Sequence, residues 1–431
     1  MSVPRRAIAA ALRLPPAITR RVGVRRDVPI PTRDGVALLA DVYAPGLPGG
    51  SPTVLVRTPY GRRGAMGLLG RLVAERGFHV VIQSCRGTFG SGGAFEPLLH
   101  EREDGMDTLE WLRRQPWYAG RFGTFGASYL GFVQWAIAAD AGDELGAMVA
   151  VVSASQTRES TYTGGAFALD TVLTWAELLG AQEQHWFSRQ VELKRGQPRL
   201  RAGLAHLPLA EADRIATGVS VPFFQEWLRH TEPGAAYWRR RGHDERISEV
   251  RAPVAMVTGW HDIFLPAQLA DYRTLREAGA VPHLTIGPWT HGSVGLFAAA
   301  LREGLAWLGA HLNGDRQALR HAPVRVHVGG GGGWRDLDAW PPPASVQAWH
   351  LRPGGRLAPR PPIATSAPDR FRYDPTDPTP SLGGPLLVAN RAGQVDNRAV
   401  EARPDVLVYT TDPLPSAIEA LGPVDAVVYV R

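Results

Sequence analysis

Short apolar runs alternate with longer amphipathic segments over two stretches of the chain, 53–152 and 254–312. Strands that alternate with helices in this way are typical of a mostly parallel sheet with helices on both faces. The predicted strands are 53–57, 78–82, 123–127, 147–152, 254–258 and 283–286. The predicted helices are 68–76, 103–114, 129–139, 264–278 and 297–312. The pattern therefore predicts an α/β fold.

An antiparallel hairpin is predicted ahead of this alternation, at residues 28–45. Val36, Leu38 and the two alternate positions that follow are apolar, and Asp34-Gly35 supplies a turn. A two-residue Asp-Gly turn beside an alternating run is a strong local indication of a hairpin. The hairpin would lie before the first parallel strand.

Residues 159–245 have a different pattern, with helical spacing, many aromatic side chains and no clean strand. We interpret them as a helical cap inserted into the α/β domain. The first part of that domain would then span residues 1–158 and the second part residues 246–320.

Helical spacing disappears from about residue 321 onward. Short strand-like runs at 324–328, 406–409 and 426–430 lie between Pro- and Gly-rich segments. This pattern predicts a separate all-β domain at 321–431, a sandwich of the jelly-roll kind. The last residues of the chain still have a strand-like pattern, so we expect this domain to be incomplete.

The composition narrows the class of protein. The chain has 431 residues, 44% of them hydrophobic and 20% charged, which fits a globular protein with a large core. The net charge is +6, but the basic residues are scattered among acids, so we expect no nucleic-acid partner. The single cysteine, Cys85, excludes an internal disulfide and a cysteine-based metal site.

The apolar runs bear on location. The N-terminal run at 7–12 is too short for the core of a signal peptide, and no apolar run reaches membrane-spanning length. We therefore expect a cytoplasmic protein with no membrane partner. The assembly state is left open between a monomer and a homodimer.

Candidate chemistry begins at Ser128, which lies between a predicted strand and a predicted helix and is flanked by Gly126 and Gly131. A sharp strand–serine–helix turn lifts the serine oxygen to the N-terminus of the helix, where N–H groups and the helix dipole stabilise an oxyanion. The last glycine is displaced by one position from the usual G-x-S-x-G pattern. The alternative is an ordinary glycine-rich turn with no catalytic role.

Two further residues complete a possible catalytic triad. Asp262 and His291 each follow a predicted strand, and the order serine, acid, histidine is that of α/β-hydrolases. A histidine activates a serine best when a carboxylate orients it. Taken singly, Asp262 would be a helix cap and His291 a surface residue. His261 is a rival base, but it adjoins the acid and follows the wrong strand.

An oxyanion needs two hydrogen-bond donors. The Tyr129 backbone N–H is one candidate, because this residue begins the helix after Ser128. The hydroxyl of Tyr60, at the end of an earlier predicted strand, is the other. The alternative for Tyr60 is a tyrosine that only packs.

Several motifs occur together and in order along the chain. They are Thr-Pro-Tyr at 58–60, Cys-Arg-Gly at 85–87, Asp-Gly-Met-Asp-Thr-Leu-Glu-Trp at 104–111, Gly-Ala-Ser-Tyr-Leu-Gly at 126–131, Gly-Trp-His-Asp at 259–262, Gly-Pro-Trp-Thr-His at 287–291, Trp-Arg-Asp at 334–336, Phe-Arg-Tyr-Asp-Pro at 371–375 and the run at 403–411. Together they resemble the cocaine esterase and X-prolyl dipeptidyl-peptidase family of serine hydrolases, over nearly the whole chain after about residue 25.

The resemblance implies an α/β-hydrolase domain, a helical cap inserted before the acid-bearing strand and a C-terminal jelly roll that is longer in the family than here. It implies Ser128 as nucleophile, His291 as base and Asp262 as orienting acid, with Tyr60 and the Tyr129 N–H forming the oxyanion hole. The displaced glycine is the family's own pattern. No metal or cofactor is implied.

The substrate is expected to be a small-molecule ester or a short peptide. A peptidase of this kind needs acidic groups for a free amino terminus, and Glu159, Asp170 and Glu177 are the candidates in the cap. The cap offers aromatics as well. Trp175, and Phe264 after Asp262, resemble positions where the esterase branch of the family packs its acyl or leaving group. We expect substrate contacts from Trp175, Phe264 and Tyr162, although aromatics at helical spacing also pack inward.

We favour an esterase for an apolar or aromatic ester. An X-prolyl dipeptidyl-peptidase or a related amide or amino-acid ester hydrolase is the alternative. An inactive binding protein is a third reading.

Overall fold

The computed structural model describes residues 5–48, 50–183, 198–362, 367–388 and 390–430. Its strands are β1 (Val22–Pro31), β2 (Ala37–Pro45), β3 (Thr53–Thr58), β4 (His79–Ser84), β5 (Phe122–Ala127), β6 (Leu145–Val151), β7 (Tyr162–Thr163), β8 (Ala166–Phe167), β9 (Val254–His261), β10 (His283–Thr290), β11 (Val324–Val328), β12 (Gly333–Leu337), β13 (His350–Arg352) and β14 (Arg356–Ala358).

Helices follow most of the central strands. They are α1 (Arg5–Ala11), α2 (Ala65–Ala74), α3 (Glu101–Arg113), α4 (Tyr129–Ala141), α5 (Arg158–Thr161), α6 (Leu169–Ala181), α7 (198–204), α8 (Ala212–Thr217), α9 (Pro222–Arg229), α10 (Ala236–Arg239), α11 (Leu265–Glu277), α12 (Val294–Leu312) and α13 (Arg398–Glu401). Within the described ranges, none of them combines the length and the apolar character that crossing a membrane requires.

The centre of the fold is a ten-stranded sheet with the order β1-β2-β4-β3-β5-β6-β9-β10-β11-β12. The strands from β4 to β11 in this order run parallel, and the antiparallel strands lie at the two edges. Strands β3, β4 and β6 are buried at every position. Strands covered on both faces need continuous apolar runs, which is why the sequence pattern located them.

Two clusters of buried apolar side chains cover the two faces of the sheet. One joins the sheet to α3, α4 and α11, and the other joins it to α1, α2 and α12. The predicted α/β fold with helices on both faces is therefore confirmed.

The predicted hairpin is also confirmed. Strand β1 pairs antiparallel with β2, and Gly35 in the turn has a φ of 85°, which a side chain would strain. The ion pairs of Arg86 with Asp34 and Asp104 connect this turn to the end of β4 and to α3. Arg86 and Asp104 belong to two of the motifs found in the sequence, so these two motifs meet in one ion-pair network.

The strand at 324–328 lies elsewhere than the sequence analysis placed it. We assigned it to the C-terminal β domain, whereas β11 pairs in parallel with β10, with Leu284 opposite Val324, and carries β12 as its antiparallel neighbour. A short apolar strand pattern does not specify which sheet it joins, since the partner is set by tertiary structure.

Two other predicted strands are not formed. Residues 406–409 and 426–430 have no ladder in the described part of the chain, and only a single bridge joins Thr410 to Arg356. An alternating pattern becomes a strand only where a neighbouring backbone supplies hydrogen bonds. In the described residues from 338 onward, the paired strands are β13 and β14, with isolated bridges and α13 beside them.

The helical insertion is present between β6 and β9. Its described part contains α5 to α10, and residues 184–197 lie outside the described ranges. The sequence analysis did not predict the two-residue ladder of β7 and β8 in this insertion. A third apolar cluster packs these helices against α4, so the cap lies over the helix that follows Ser128.

Candidate active site

Ser128 lies at the sharp turn between β5 and α4. Its backbone has φ 59° and ψ −125°, a region that side chains rarely adopt, and its N–H donates to Val151 O. Such strain persists only where the surroundings impose it and is common at functional sites.

The two flanking glycines are required by close contacts. A Cβ on Gly126 would lie 2.4 Å from Leu130 Cβ, and a Cβ on Gly131 would lie 2.3 Å from Ser153 Cβ. The displaced glycine of the motif therefore has a structural reason. The predicted elbow is formed, and the serine lies at the N-terminus of a helix of 13 residues.

The other predicted residues lie at the same edge of the sheet. Tyr60 follows β3, Asp262 follows β9 and His291 follows β10, while Ser128 follows β5. Because the carboxyl ends of parallel strands meet at one edge, the topology collects these residues where ligands bind in open α/β sheets.

Asp262 and His291 form a buried pair. Nδ1 of His291 lies 2.7 Å from Oδ2 of Asp262, whose other oxygen accepts the N–H of Phe264. Asp262 is almost fully buried, and these two hydrogen bonds hold its carboxylate in place. A carboxylate at Nδ1 fixes the tautomer with a proton there and leaves Nε2 free to accept one.

Tyr60 and Tyr129 also lie beside Ser128. The Tyr60 hydroxyl is hydrogen-bonded to Ser128 and accepts the Trp175 Nε1–H at 3.0 Å. Surrounding protein atoms desolvate the phenol and raise the pKa of Tyr60 to about 12 against the effect of both hydrogen bonds, although 38% of the residue is exposed. A phenol keeps its proton at neutral pH even at its ordinary pKa of about 10. Tyr129 is the first residue of α4, where N–H groups have no carbonyl partner within the helix.

The side chain of Tyr129 is anchored by residues that the sequence analysis did not single out. Its hydroxyl donates to Glu101 at 2.7 Å and accepts the Leu98 N–H at 2.8 Å. Glu101 in turn pairs with Arg57 at 2.8 Å, and both side chains are buried. The only indication in the sequence was an arginine within an otherwise apolar predicted strand, 53–57.

A pocket opens beside Ser128 between the sheet edge and the cap. Most of the residues that line it are aromatic or carry a hydroxyl group. The aromatic residues are Tyr60, Tyr129, Phe132, Trp175, Trp227 and Phe264, and the hydroxyl residues are Ser153, Thr157, Ser160, Thr161 and Thr171. Among the described residues that line the pocket, none carries a charged side chain.

The three residues predicted to contact substrate lie in two different places. Trp175 and Phe264 line the pocket, and the Phe264 ring lies 5.6 Å from the His291 ring. Tyr162 is not among the described residues that line the pocket: it is buried in the core of the cap, and its hydroxyl donates to the Trp227 carbonyl at 2.7 Å. An aromatic residue in a helical insertion serves the cap core or the pocket equally well, and the sequence does not tell which.

The predicted acidic candidates are not among the described residues that line this pocket. Glu159, Asp170 and Glu177 are absent from its described lining. Asp170, near the start of α6, pairs with Arg391 at 2.8 Å. Leu387, from the same C-terminal segment as Arg391, lines the pocket, so that segment reaches the site.

Comparison with known proteins bears on this arrangement. Residues 34–293 match the X-Pro dipeptidyl-peptidase (S15) family, and residues 317–431 match the X-Pro dipeptidyl-peptidase C-terminal non-catalytic domain. The chain belongs to the S15 family. Cocaine esterase from Rhodococcus sp. is 30% identical over 447 aligned positions, which cover 94% of this chain and 77% of that protein. The chain is therefore a hydrolase of the serine hydrolase class, as the motifs predicted.

Solved structures of S15-like hydrolases share the fold. An α-amino acid ester hydrolase has a TM-score of 0.73 at 22% identity, covering 93% of this chain and 74% of that one. An aminopeptidase from a marine-sediment Thaumarchaeota archaeon has a TM-score of 0.70 at 22% identity, covering 93% and 73%. The predicted α/β-hydrolase fold with a C-terminal domain is thereby confirmed.

Proposed function

We propose that this S15-family chain hydrolyses carboxylic esters whose acyl group is uncharged and apolar or aromatic. The observation that carries the proposal is the pocket beside Ser128. Its described lining combines aromatic side chains with hydroxyl groups and has no carboxylate to hold an ammonium group and no cation to hold a carboxylate. An uncharged planar acyl group fits such a lining. Its ring would stack on the aromatic side chains, and it brings no charge that the hydroxyl groups would have to neutralise.

The proposed reaction proceeds through an acyl-enzyme. Ser128 Oγ attacks the ester carbonyl carbon while its proton passes to Nε2 of His291, and Asp262 orients the imidazole through Nδ1. The bond to the leaving alcohol then breaks, and His291 returns the proton to that oxygen. Water repeats the sequence on the acyl-enzyme and releases the carboxylic acid.

The oxyanion of each tetrahedral intermediate would accept two hydrogen bonds, from the Tyr60 hydroxyl and the Tyr129 N–H. The high pKa of Tyr60 favours this role, because a donor must hold its proton throughout the working pH range. Loss of one oxyanion donor typically lowers kcat by about 100- to 1,000-fold.

An X-Pro dipeptidyl-peptidase is the alternative, and the family name favours it. A free amino terminus would need carboxylates in the pocket. Among the cap candidates, Asp170 already pairs with Arg391, and none of the three lines the pocket in the described part of the chain. We therefore rank the ester reaction first. A cytoplasmic location and a homodimer remain predictions.

The test is a substrate panel. Purified protein and its Ser128→Ala variant are assayed with p-nitrophenyl acetate, butyrate and benzoate, with Ala-Pro-p-nitroanilide and with Ala p-nitrobenzyl ester. We expect turnover of the benzoate and butyrate by the wild type only. A higher kcat/KM for either amino-terminal substrate would overturn the uncharged-acyl proposal.

A further inference from the structure

Trp175 contacts the side chains of both residues that supply the proposed oxyanion donors. Its Nε1 lies 3.0 Å from the Tyr60 hydroxyl oxygen, and its ring stacks on the Tyr129 ring with centroids 6.1 Å apart and planes inclined by 23°. Tyr60 follows β3 of the hydrolase domain, whereas Trp175 lies in the middle of α6 in the cap. The hydrogen bond therefore joins the cap to the oxyanion hole.

The donor and the acceptor of this hydrogen bond are fixed by chemistry. An indole N–H is a donor only, so it occupies a lone pair of the Tyr60 oxygen and leaves the phenolic proton for another acceptor. A carbonyl in the place of Trp175 would take that proton and remove Tyr60 from the oxyanion hole. Donation into the phenol oxygen also polarises the O–H bond, since hydrogen bonds in a chain strengthen one another.

We propose that Trp175 is a positioning residue for catalysis: its N–H orients the Tyr60 hydroxyl so that the phenolic proton points to the substrate oxyanion. The cap then sets the geometry of the oxyanion hole as well as the shape of the acyl pocket. This inference rests on the proposed function, in which Tyr60 donates to the oxyanion.

A purely packing role is the competing explanation. The Trp175 ring also stacks on Trp227, with centroids 5.8 Å apart and planes inclined by 12°, and contacts Phe223. Both roles use the same side chain, but only one uses the N–H. Trp175→Phe keeps an aromatic ring in the stack and removes the donor, so it separates them.

The experiment is a double-mutant cycle. Trp175→Phe, Tyr60→Phe and the double variant are compared with the wild type in p-nitrophenyl benzoate hydrolysis. We expect Trp175→Phe to lower kcat by about three- to tenfold with little change in KM, as for the loss of one neutral hydrogen bond. In the Tyr60→Phe background the same substitution should lower kcat by a clearly smaller factor, because the group that the N–H acts on is gone and only the packing contribution of the ring remains.

A matched control is Trp227→Phe, made in both backgrounds. Trp227 lies in the same aromatic stack and lines the pocket, but its partners in the described structure do not include Tyr60. Trp227→Phe should change kcat by the same factor whether residue 60 is tyrosine or phenylalanine. If Trp175→Phe behaves like this control, or changes KM alone, Trp175 acts only by packing and the proposal is wrong.

A second readout separates this proposal from the proposed function. The rate of inactivation by a p-nitrophenyl phosphonate reports attack by the serine oxygen on phosphorus, with loss of p-nitrophenolate and with the phosphoryl oxygen in the oxyanion hole, and it needs no substrate turnover. The cycle should show the same coupling in that rate. Loss of labelling in Ser128→Ala with no effect of Tyr60→Phe would retain the nucleophile and overturn the role of both Tyr60 and Trp175. Labelling that survives Ser128→Ala would instead contradict the proposed function.

Discussion

Nδ1 of His291 and Oδ2 of Asp262 lie 2.7 Å apart, with the carboxylate almost fully buried. This pair joins the ends of two neighbouring parallel strands, β9 and β10. Because the carboxylate accepts at Nδ1, it selects the tautomer whose Nε2 is free, which is the form that a general base needs.

Asp262→Asn should therefore lower kcat by about 100- to 10,000-fold, since an amide at this position permits the wrong tautomer while preserving the shape. The measurement is kcat for p-nitrophenyl benzoate in variants whose far-ultraviolet circular dichroism matches the wild type. His261→Gln is the control for the neighbouring imidazole and should retain most of the activity. A strong loss in His261→Gln with activity retained in His291→Gln would reverse the assignment of the base.

The turn at Ser128 leaves no room for a side chain at Gly131. A Cβ there would lie 2.3 Å from Ser153 Cβ, so Gly131→Ala must displace either α4 or the segment after β6. We expect loss of detectable esterase activity and a destabilisation of about 1–3 kcal/mol from overpacking. Chemical denaturation and ester turnover are the two measurements.

Gly180→Ala is the matched control for that substitution. Gly180 lies in α6, and a Cβ at this position meets nothing within 4 Å. Alanine should leave the stability unchanged or raise it by about 0.5–1 kcal/mol, because glycine is the poorer helix former. Equal losses of activity in the two variants would argue against a steric requirement specific to the elbow.

The Glu101 carboxylate is the counter-charge of Arg57 and accepts a hydrogen bond from the Tyr129 hydroxyl, all within one buried network. Glu101→Gln leaves the guanidinium buried without its counter-charge, and breaking such a pair typically costs about 3–5 kcal/mol. We expect urea denaturation to show a loss of that order. Glu103→Gln, an exposed position of the same helix, should change the free energy of unfolding by less than about 0.5 kcal/mol. A tolerated Glu101→Gln would mean that the network does not support the elbow.

A pH effect on stability is expected from Asp271. Burial raises the pKa of this carboxyl to about 7, despite two hydrogen bonds from Ser155, and the charges of Asp244 and Glu159 act in the same direction as burial. The unfolded chain releases the proton near pH 4, whereas the folded protein holds it to about pH 7. Between these values the folded state binds more protons, so the free energy of unfolding falls as the pH rises.

Asp271→Asn should remove this contribution, which amounts to at most about 4 kcal/mol between pH 4 and 7. The measurement is urea denaturation at several pH values in this range. Glu277→Gln, an exposed position of the same helix, is the control and should keep the wild-type slope. An unchanged slope in Asp271→Asn would show that the carboxyl is ionised in the folded protein at these pH values.

The sequence located most of the hydrolase fold because its strands are buried on both faces and appear as apolar runs. It located the elbow because Gly126 and Gly131 are required by contacts close in the chain. It failed where the outcome depends on a distant partner. The strand 324–328 was expected within a separate β domain but pairs with β10 of the central sheet, and Tyr162, expected to contact substrate, packs in the core of the cap.

The contacts that tune the proposed site were beyond sequence reasoning for the same reason. The Trp175 N–H meets the Tyr60 hydroxyl across 115 positions of the chain. Arg57 and Glu101 come from a strand and a helix that only the fold brings together. Trp175 was expected near the substrate because it resembles a position where the esterase branch packs its acyl or leaving group, but nothing in the sequence predicts that its N–H meets Tyr60.

The measurement that tests the central claim most directly is identification of the residue modified by a fluorophosphonate probe. Folded protein is labelled at neutral pH, digested and analysed by tandem mass spectrometry, with Ser128→Ala treated in parallel. We predict one adduct per chain, on Ser128, and none in the variant. Label on a different residue, or no label in a correctly folded wild type, would contradict Ser128 as the nucleophile.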